Sequence, residues 1–215
     1  MSIERLRREV ADAGRRLAHA GLVIGPAGNV SARAGDLIAV TPTGGRLASL
    51  VADEVAVVDL DGTLVDGPLE PTSELPLHLA VYRNFDAGAV VHTHPPMATA
   101  IACVADELPC IHYTMLTLGG NIRVAPYATF GTEELAASVA AALEGRTAAL
   151  LASHGAVTYG EDLRAAVDAT ELLEWASAVY VHACACGTPR TLADDDRMAV
   201  AAALATYGTR RTLDA

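Results

Sequence analysis

Three histidines carry the first chemistry that can be read from this chain. His92 and His94 stand one residue apart in "VVHTHPPMATA", residues 90–100, after a run of valines and before two prolines. Alternate side chains of an extended strand share a face, so both imidazoles project together from a strand end that the prolines keep from pairing further. Two neutral imidazoles side by side suit a divalent cation, and equally suit a polar strand end that meets water. The third, His154, lies in "ALLASHGAVTYG" between two strand-like runs, with Gly155 read as the residue that lets the backbone turn sharply. The three imidazoles form a set that zinc accepts while leaving a position open to substrate; the alternative for His154 is a turn histidine facing water.

An acid comes from "LEPTSELPLHLAVYR", residues 69–83. Thr72 or Ser73 can cap a helix that starts near Glu74, and Pro76 sits in its first turn, where a missing N–H costs nothing. Glu74 is there either as a first-turn acid favoured by the helix dipole or as a carboxylate within reach of a metal or a substrate proton, and spacing alone does not choose. The same helix start, with free N–H groups and two hydroxyls, could hold a phosphate. Two other stretches are built similarly: "AGNVSAR" places Gly28 and Asn29 in a turn, and "TPTGG" offers Thr43 with Gly44 and Gly45, whose backbone can approach an anion closely. Each alone also reads as an ordinary turn.

These groups need elements to hold them. Residues 3–20 carry apolar positions at helical spacing, with Gly21 as a stop. "NVSAR" and "LIAV" meet at Gly35-Asp36 as a hairpin, and "AALLAS" with "GAVTYG" reads as another. "EVAVVDL", "GAVVHTH" and "NIRVAPY" are further strands; "ELPLHLAVYRNF", "PMATAIACVA", "GTEELAASVAAALE" and "DLRAAVDATELLEWASAVYVHACA" are helices. Interspersed strands and helices predict α/β or α+β layers with much antiparallel pairing, in a single domain over residues 1–215.

Composition narrows the function classes. A net charge of -11 argues against nucleic-acid or anionic-membrane partners, which depend on clustered Lys and Arg; the basic positions at 5–8 and Arg15-Arg16 fall on a solvated helical face. No apolar run approaches the roughly 20 residues that span a bilayer, and "MSIERLRREV" lacks a signal-peptide core, which predicts a cytoplasmic protein. Cys103, Cys110, Cys184 and Cys186 contain no C-x-x-C pair and read as reduced core thiols.

Taken in order over nearly the full chain, "GNVSAR", "TPTG", "PTSELPLH", "HTHPP" and "SHGAVTYG" resemble the zinc-dependent class II aldolase/adducin family. The resemblance implies a three-layer α/β/α sandwich with a mostly antiparallel sheet, assembled as a homotetramer with sites at subunit boundaries. It implies one Zn²⁺ per chain, or another divalent metal, on His92, His94 and His154, with Glu74 a fourth ligand that swings off to act as base. It places a sugar phosphate against Gly28, Asn29, Thr43, Gly44, Thr72 and Ser73, and it matches Tyr113 and Tyr207 to tyrosines at the aldehyde end of the substrate, Tyr113 coming from a neighbouring chain. Glu74 and the lysine-free "TPTGG" favour the aldolase branch over the epimerases, where the acid looks like aspartate and a lysine assists the phosphate. The implied reaction is reversible cleavage of a ketose 1-phosphate to dihydroxyacetone phosphate and an aldehyde through a metal-stabilised enediolate. The alternatives are the same zinc site working on another sugar phosphate, as aldolase, dehydratase, decarboxylase or epimerase, and a non-catalytic adducin-like binding protein. The sequence contains no lysine, which excludes a Schiff-base mechanism.

Overall fold

The computed structural model of the protein describes residues 2–206. Helix α1 (Ile3–His19) starts where the Ser2 hydroxyl accepts the Arg5 N–H, and it buries Leu6, Val10 and Leu17 along one stripe. The hairpin β1 (Asn29–Ala34) and β2 (Leu37–Val40) forms across Gly35-Asp36 as the sequence predicts. Then follow β3 (Ala56–Asp59), β4 (Leu64–Asp66), α2 (Leu75–Asn84), β5 (Ala89–Thr93), α3 (Pro96–Ala102), β6 (Glu107–Leu108), β7 (Ile122–Ala125) and α4 (Glu133–Leu143). The second hairpin, β8 (Ala148–Leu151) and β9 (Gly155–Gly160), leads into α5 (Leu163–Cys186) and α6 (Asp194–Thr206). Two strands of two and three residues, a 3₁₀ helix over Tyr113–Leu118 and α6 were not foreseen. The strands are too short to show a period, and α6 buries none of its described residues, so it carries no apolar stripe.

The nine strands form one sheet in the order β4-β3-β2-β1-β5-β9-β8-β7-β6. The expectation of antiparallel pairing needs one correction: β7 and β8 run parallel, because α4 carries the chain over the sheet between them, so the sheet is mixed. The other neighbouring pairs are antiparallel.

Helices cover both faces. Strand alternation shows it directly: Val90 joins the core under α2 and α4, while Ala89 and Val91 join the opposite core under α1 and α5. A third cluster packs α3 and α5 against β7, β8 and β9. Strand β5 is buried throughout, so polar side chains on it sit where water does not reach. The cysteine reading is also corrected: only Cys110 is buried, while Cys103, Cys184 and Cys186 are exposed on helix surfaces or ends. Among the described residues no helix is long and apolar enough to cross a membrane.

Candidate active site

Sheet register assembles the site. Strand β5 lies between β1 and β9, with His92 opposite Asn29 on one side and Thr93 opposite Ala156 on the other. His92 shares the strand face of Val90, toward α2, and α2 begins just after Glu74. His154 ends the β8–β9 turn beside that strand end. The turn differs from the sequence reading in one respect. The left-handed residue is Ser153, with φ of 54°, and Gly155 is needed instead because a Cβ there would run into the Thr93 carbonyl oxygen. Gly28 serves in a similar way, with φ of +89° and a position where a Cβ would lie 2.7 Å from Val23 and 3.1 Å from the His92 carbonyl.

The three imidazoles converge, with ring centroids 4.9 Å apart for His92–His94, 4.8 Å for His92–His154 and 5.0 Å for His94–His154. One nitrogen from each lies within 4.8 Å of the others. His92 Nδ1–H donates to the Ala156 carbonyl at 3.0 Å, which leaves Nε2 facing inward. That Nε2 lies 3.0 Å from His94 Nε2 and 3.1 Å from Glu74 Oε2, while Glu74 Oε1 lies 3.5 Å from His154 Nε2.

Electrostatics agree with a cation site. Burial, then the charge of His92, lowers the imidazoles of His94 and His154 to about 4, so both are neutral ligands at neutral pH. Burial opposes ionisation of Glu74, but the His92 hydrogen bond and charge, the Asn29 amide and the His154 charge outweigh it and hold the carboxyl well below its usual range. Glu74 Oε1 is buried with no hydrogen-bond partner. Nitrogens from three rings and an orphaned carboxylate oxygen facing one another are what a divalent cation would satisfy, so His92, His94 and His154 are compatible with a metal site.

The three stretches weighed for phosphate are stitched together beside this cluster. Thr41 N–H donates to the Val30 carbonyl, Thr72 N–H to Thr41 and Thr43 N–H to Glu70, each at 3.0 Å. The Thr72 hydroxyl accepts the Glu74 N–H at 3.2 Å in a turn ahead of α2, but Glu74 itself is the N-cap residue and no side chain caps the helix, so the cap expected from Thr72 or Ser73 does not form. Thr43, Gly44 and Ser73 are exposed, whereas Thr72, Asn29 and Glu74 are buried, so the exposed residues form a rim over a dry floor. Asn29 does something unforeseen: its side chain turns to the floor, where Nδ2 donates to Glu74 Oε2 at 2.9 Å and Oδ1 meets His78 Nε2. Ser31, His78 and Tyr82 continue this buried line, and the sequence reading missed all three. The signal was present, since Glu74, His78 and Tyr82 recur at four residues on a helix and Asn29 and Ser31 at two on a strand.

Tyr113 is not brought to the triad of its own chain. It opens the 3₁₀ helix half-exposed, with its ring 4.7 Å from that of His112, and makes no hydrogen bond or ring contact with the three histidines or Glu74 among the described residues. Tyr207 lies outside the described residues.

Known proteins are similar to this chain in sequence and fold. The profile of the Class II Aldolase and Adducin N-terminal domain matches residues 8–181. A 5-methylthioribulose-1-phosphate/5-deoxyribulose-1-phosphate aldolase of Rhodospirillum rubrum is 40% identical over 94% of this chain and 92% of its own. An L-fuculose phosphate aldolase of Escherichia coli is 37% identical over 98% of this chain and 99% of its own. A solved L-fuculose 1-phosphate aldolase superposes with a TM-score of 0.90 at 34% identity, covering 94% of this chain and 96% of that one. The chain belongs to the class II aldolase and adducin family. Within that family it is an enzyme, a lyase of the aldolase kind.

Proposed function

We propose that the protein is a zinc-dependent aldolase that reversibly cleaves a ketose 1-phosphate, of the L-fuculose 1-phosphate type, into dihydroxyacetone phosphate and an aldehyde such as L-lactaldehyde. The observation that carries this reading is the meeting of three imidazoles with a buried carboxylate that keeps one oxygen unpaired. Imidazole nitrogens suit zinc, and three of them leave a position open. When bound, the cation supplies a Lewis acid for the carbonyl and adjacent hydroxyl of the substrate.

The chain's own residues supply the rest. Glu74 Oε2 is held by Asn29, so Oε1 takes the proton from the hydroxymethyl carbon of dihydroxyacetone phosphate in condensation and returns it in cleavage. Thr43, Gly44 and Ser73 at the rim, with Thr72 beneath them, receive the phosphate, with hydroxyls and a helix N-terminus in place of a lysine. One N–H of the Asn29 amide is taken by Glu74, and Gly28 and Asn29 complete the phosphate site at the turn. Tyr113, which is exposed, protonates the aldehyde oxygen in the site of a neighbouring copy, in a homotetramer with sites at subunit boundaries. Four unpaired cysteines are consistent with a cytoplasmic enzyme.

A second reading keeps the chemistry and changes the aldehyde: the 40% identical relative is named for 5-methylthioribulose 1-phosphate and 5-deoxyribulose 1-phosphate. Turnover of the purified protein against L-fuculose 1-phosphate, both of these sugars and ribulose 5-phosphate, read by coupled reduction of dihydroxyacetone phosphate, tests both. Release of dihydroxyacetone phosphate from at least one ketose 1-phosphate, abolished by chelator and restored by zinc, is expected. No release from any of them would remove the proposal.

A further inference from the structure

Behind Glu74 a line of five buried side chains runs away from the imidazole cluster: Glu74, Asn29, His78, Ser31 and Tyr82. Helix α2 contributes Glu74 just before its first residue, then His78 and Tyr82, four residues apart; β1 contributes Asn29 and Ser31, two apart. Four helical residues advance about 6 Å and two strand residues about 6.6 Å, so the two sets interleave without either element bending. The contacts are Asn29 Nδ2 to Glu74 Oε2 at 2.9 Å, His78 Nε2 to Asn29 Oδ1 at 2.5 Å, Ser31 Oγ to His78 Nδ1 at 2.7 Å and Ser31 Oγ to Tyr82 Oη at 2.7 Å.

Donor accounting leaves one arrangement. An ionised Glu74 only accepts, so Asn29 must turn its amide nitrogen toward it and its carbonyl toward His78. His78 must then carry its proton on Nε2 to donate to that carbonyl. A neutral ring so protonated has a lone pair on Nδ1, which requires the Ser31 hydroxyl to donate, and Ser31 then accepts from the Tyr82 O–H. The opposite tautomer would swing the Asn29 carbonyl against the carboxylate. Burial, then the charge of His92, lowers His78 to about 3, consistent with a neutral ring.

We infer that His78 is a positioning residue for Glu74: through Asn29 it keeps Oε2 an acceptor in both protonation states of the carboxyl, so that the substrate proton enters and leaves at Oε1 alone. This rests on the reading of Glu74 as the base. His78 touches neither substrate nor metal, and its effect passes entirely through the amide of Asn29.

The test uses the zinc-loaded protein. Long-range ¹H–¹⁵N spectra should show the His78 ring neutral and protonated at Nε2, assigned by loss of the signal in His78→Gln. Exchange of the hydroxymethyl proton of dihydroxyacetone phosphate in D₂O should fall about 10–100-fold in kcat for His78→Leu, with KM within about twofold and zinc content unchanged, the loss typical of a partner that orients a metal-site group. His78→Gln, whose amide can donate to Asn29 and accept from Ser31, should recover most of that rate. If His78→Leu does not fold, Ser31→Ala takes its place, with the tautomer no longer pinned and kcat lowered at constant KM. The inference is overturned by an Nδ1-protonated or charged His78, by wild-type exchange in folded His78→Leu or in Ser31→Ala, or by a glutamine no better than leucine. Glu74→Gln, measured alongside, separates the two levels. Wild-type exchange in Glu74→Gln removes the base itself, whereas a dead Glu74→Gln beside an active His78→Leu overturns only the role given to His78.

Discussion

Two polar regions are sunk into the same side of the sheet, one on each side of the Glu74 carboxylate, and they differ in whether the protein completes them. From Oε2 outward, each polar atom of the line through Asn29, His78 and Ser31 to Tyr82 has a partner within the chain. From Oε1 inward, three ring nitrogens face one another and a buried oxygen has no hydrogen bond. An unsatisfied buried polar atom costs about 1–3 kcal/mol, while a satisfied buried hydrogen bond contributes about 1 kcal/mol net. The closed region is therefore scaffold, stable as it stands, and the open one is a site whose stability and purpose depend on what enters it. Sharing a single carboxylate lets the scaffold fix the orientation of the group that the site uses.

The largest effect should come from the open side. His94→Ala removes one of three ring ligands, and loss of a Lewis acid worth several kcal/mol corresponds to about a thousandfold in kcat/KM. Elemental analysis should show zinc falling together with activity; a variant that keeps both would break the comparison at its main point.

Acid should weaken the metal-free protein in a defined window. His94 and His154 titrate near 4 and His78 near 3 in the folded chain, against an ordinary 6.5. The unfolded chain therefore binds more protons between these limits, so stability is full above pH 6.5 and is lost as pH falls toward 4 and below. The melting temperature of chelator-treated protein should drop through that range, and zinc should hold it up at the upper end by keeping the cluster deprotonated. A flat profile from pH 6.5 to 4 would mean the rings are not held neutral by burial.

The smallest effect belongs to the far end of the closed side. Tyr82→Phe removes the first donor of the line and should cost about 1 kcal/mol, roughly 2–4 °C in melting temperature, with zinc content unchanged. Loss of zinc in this variant would show that the two regions are not separable in the way the geometry indicates.

Much of the frame was legible because it rests on local signals. The two hairpins and the α1 stripe follow from alternation, turn residues and helical spacing, and they appear where those signals lie. The parallel β7–β8 pair was not legible, since the direction of a strand depends on the α4 crossover rather than on its own residues. Gly155 was legible as necessary but for the wrong reason, because the neighbouring Thr93 carbonyl that crowds it belongs to another strand.

The sequence by itself determined which side chains were available: three imidazoles, one acid at a helix start, hydroxyls and glycines in turns, and no lysine. Motif order was enough to name the family. Only the tertiary structure decided what each of them does to its neighbours. The register of Asn29 against His92, and the matched advance of α2 over β1, turned a residue read as a phosphate contact toward Glu74 and joined it to a histidine, a serine and a tyrosine that no motif had singled out. Hydrogen bonds are made across space at about 3 Å, and partners separated by 45 to 51 positions in sequence carry no mark of each other until the sheet and helix bring them together.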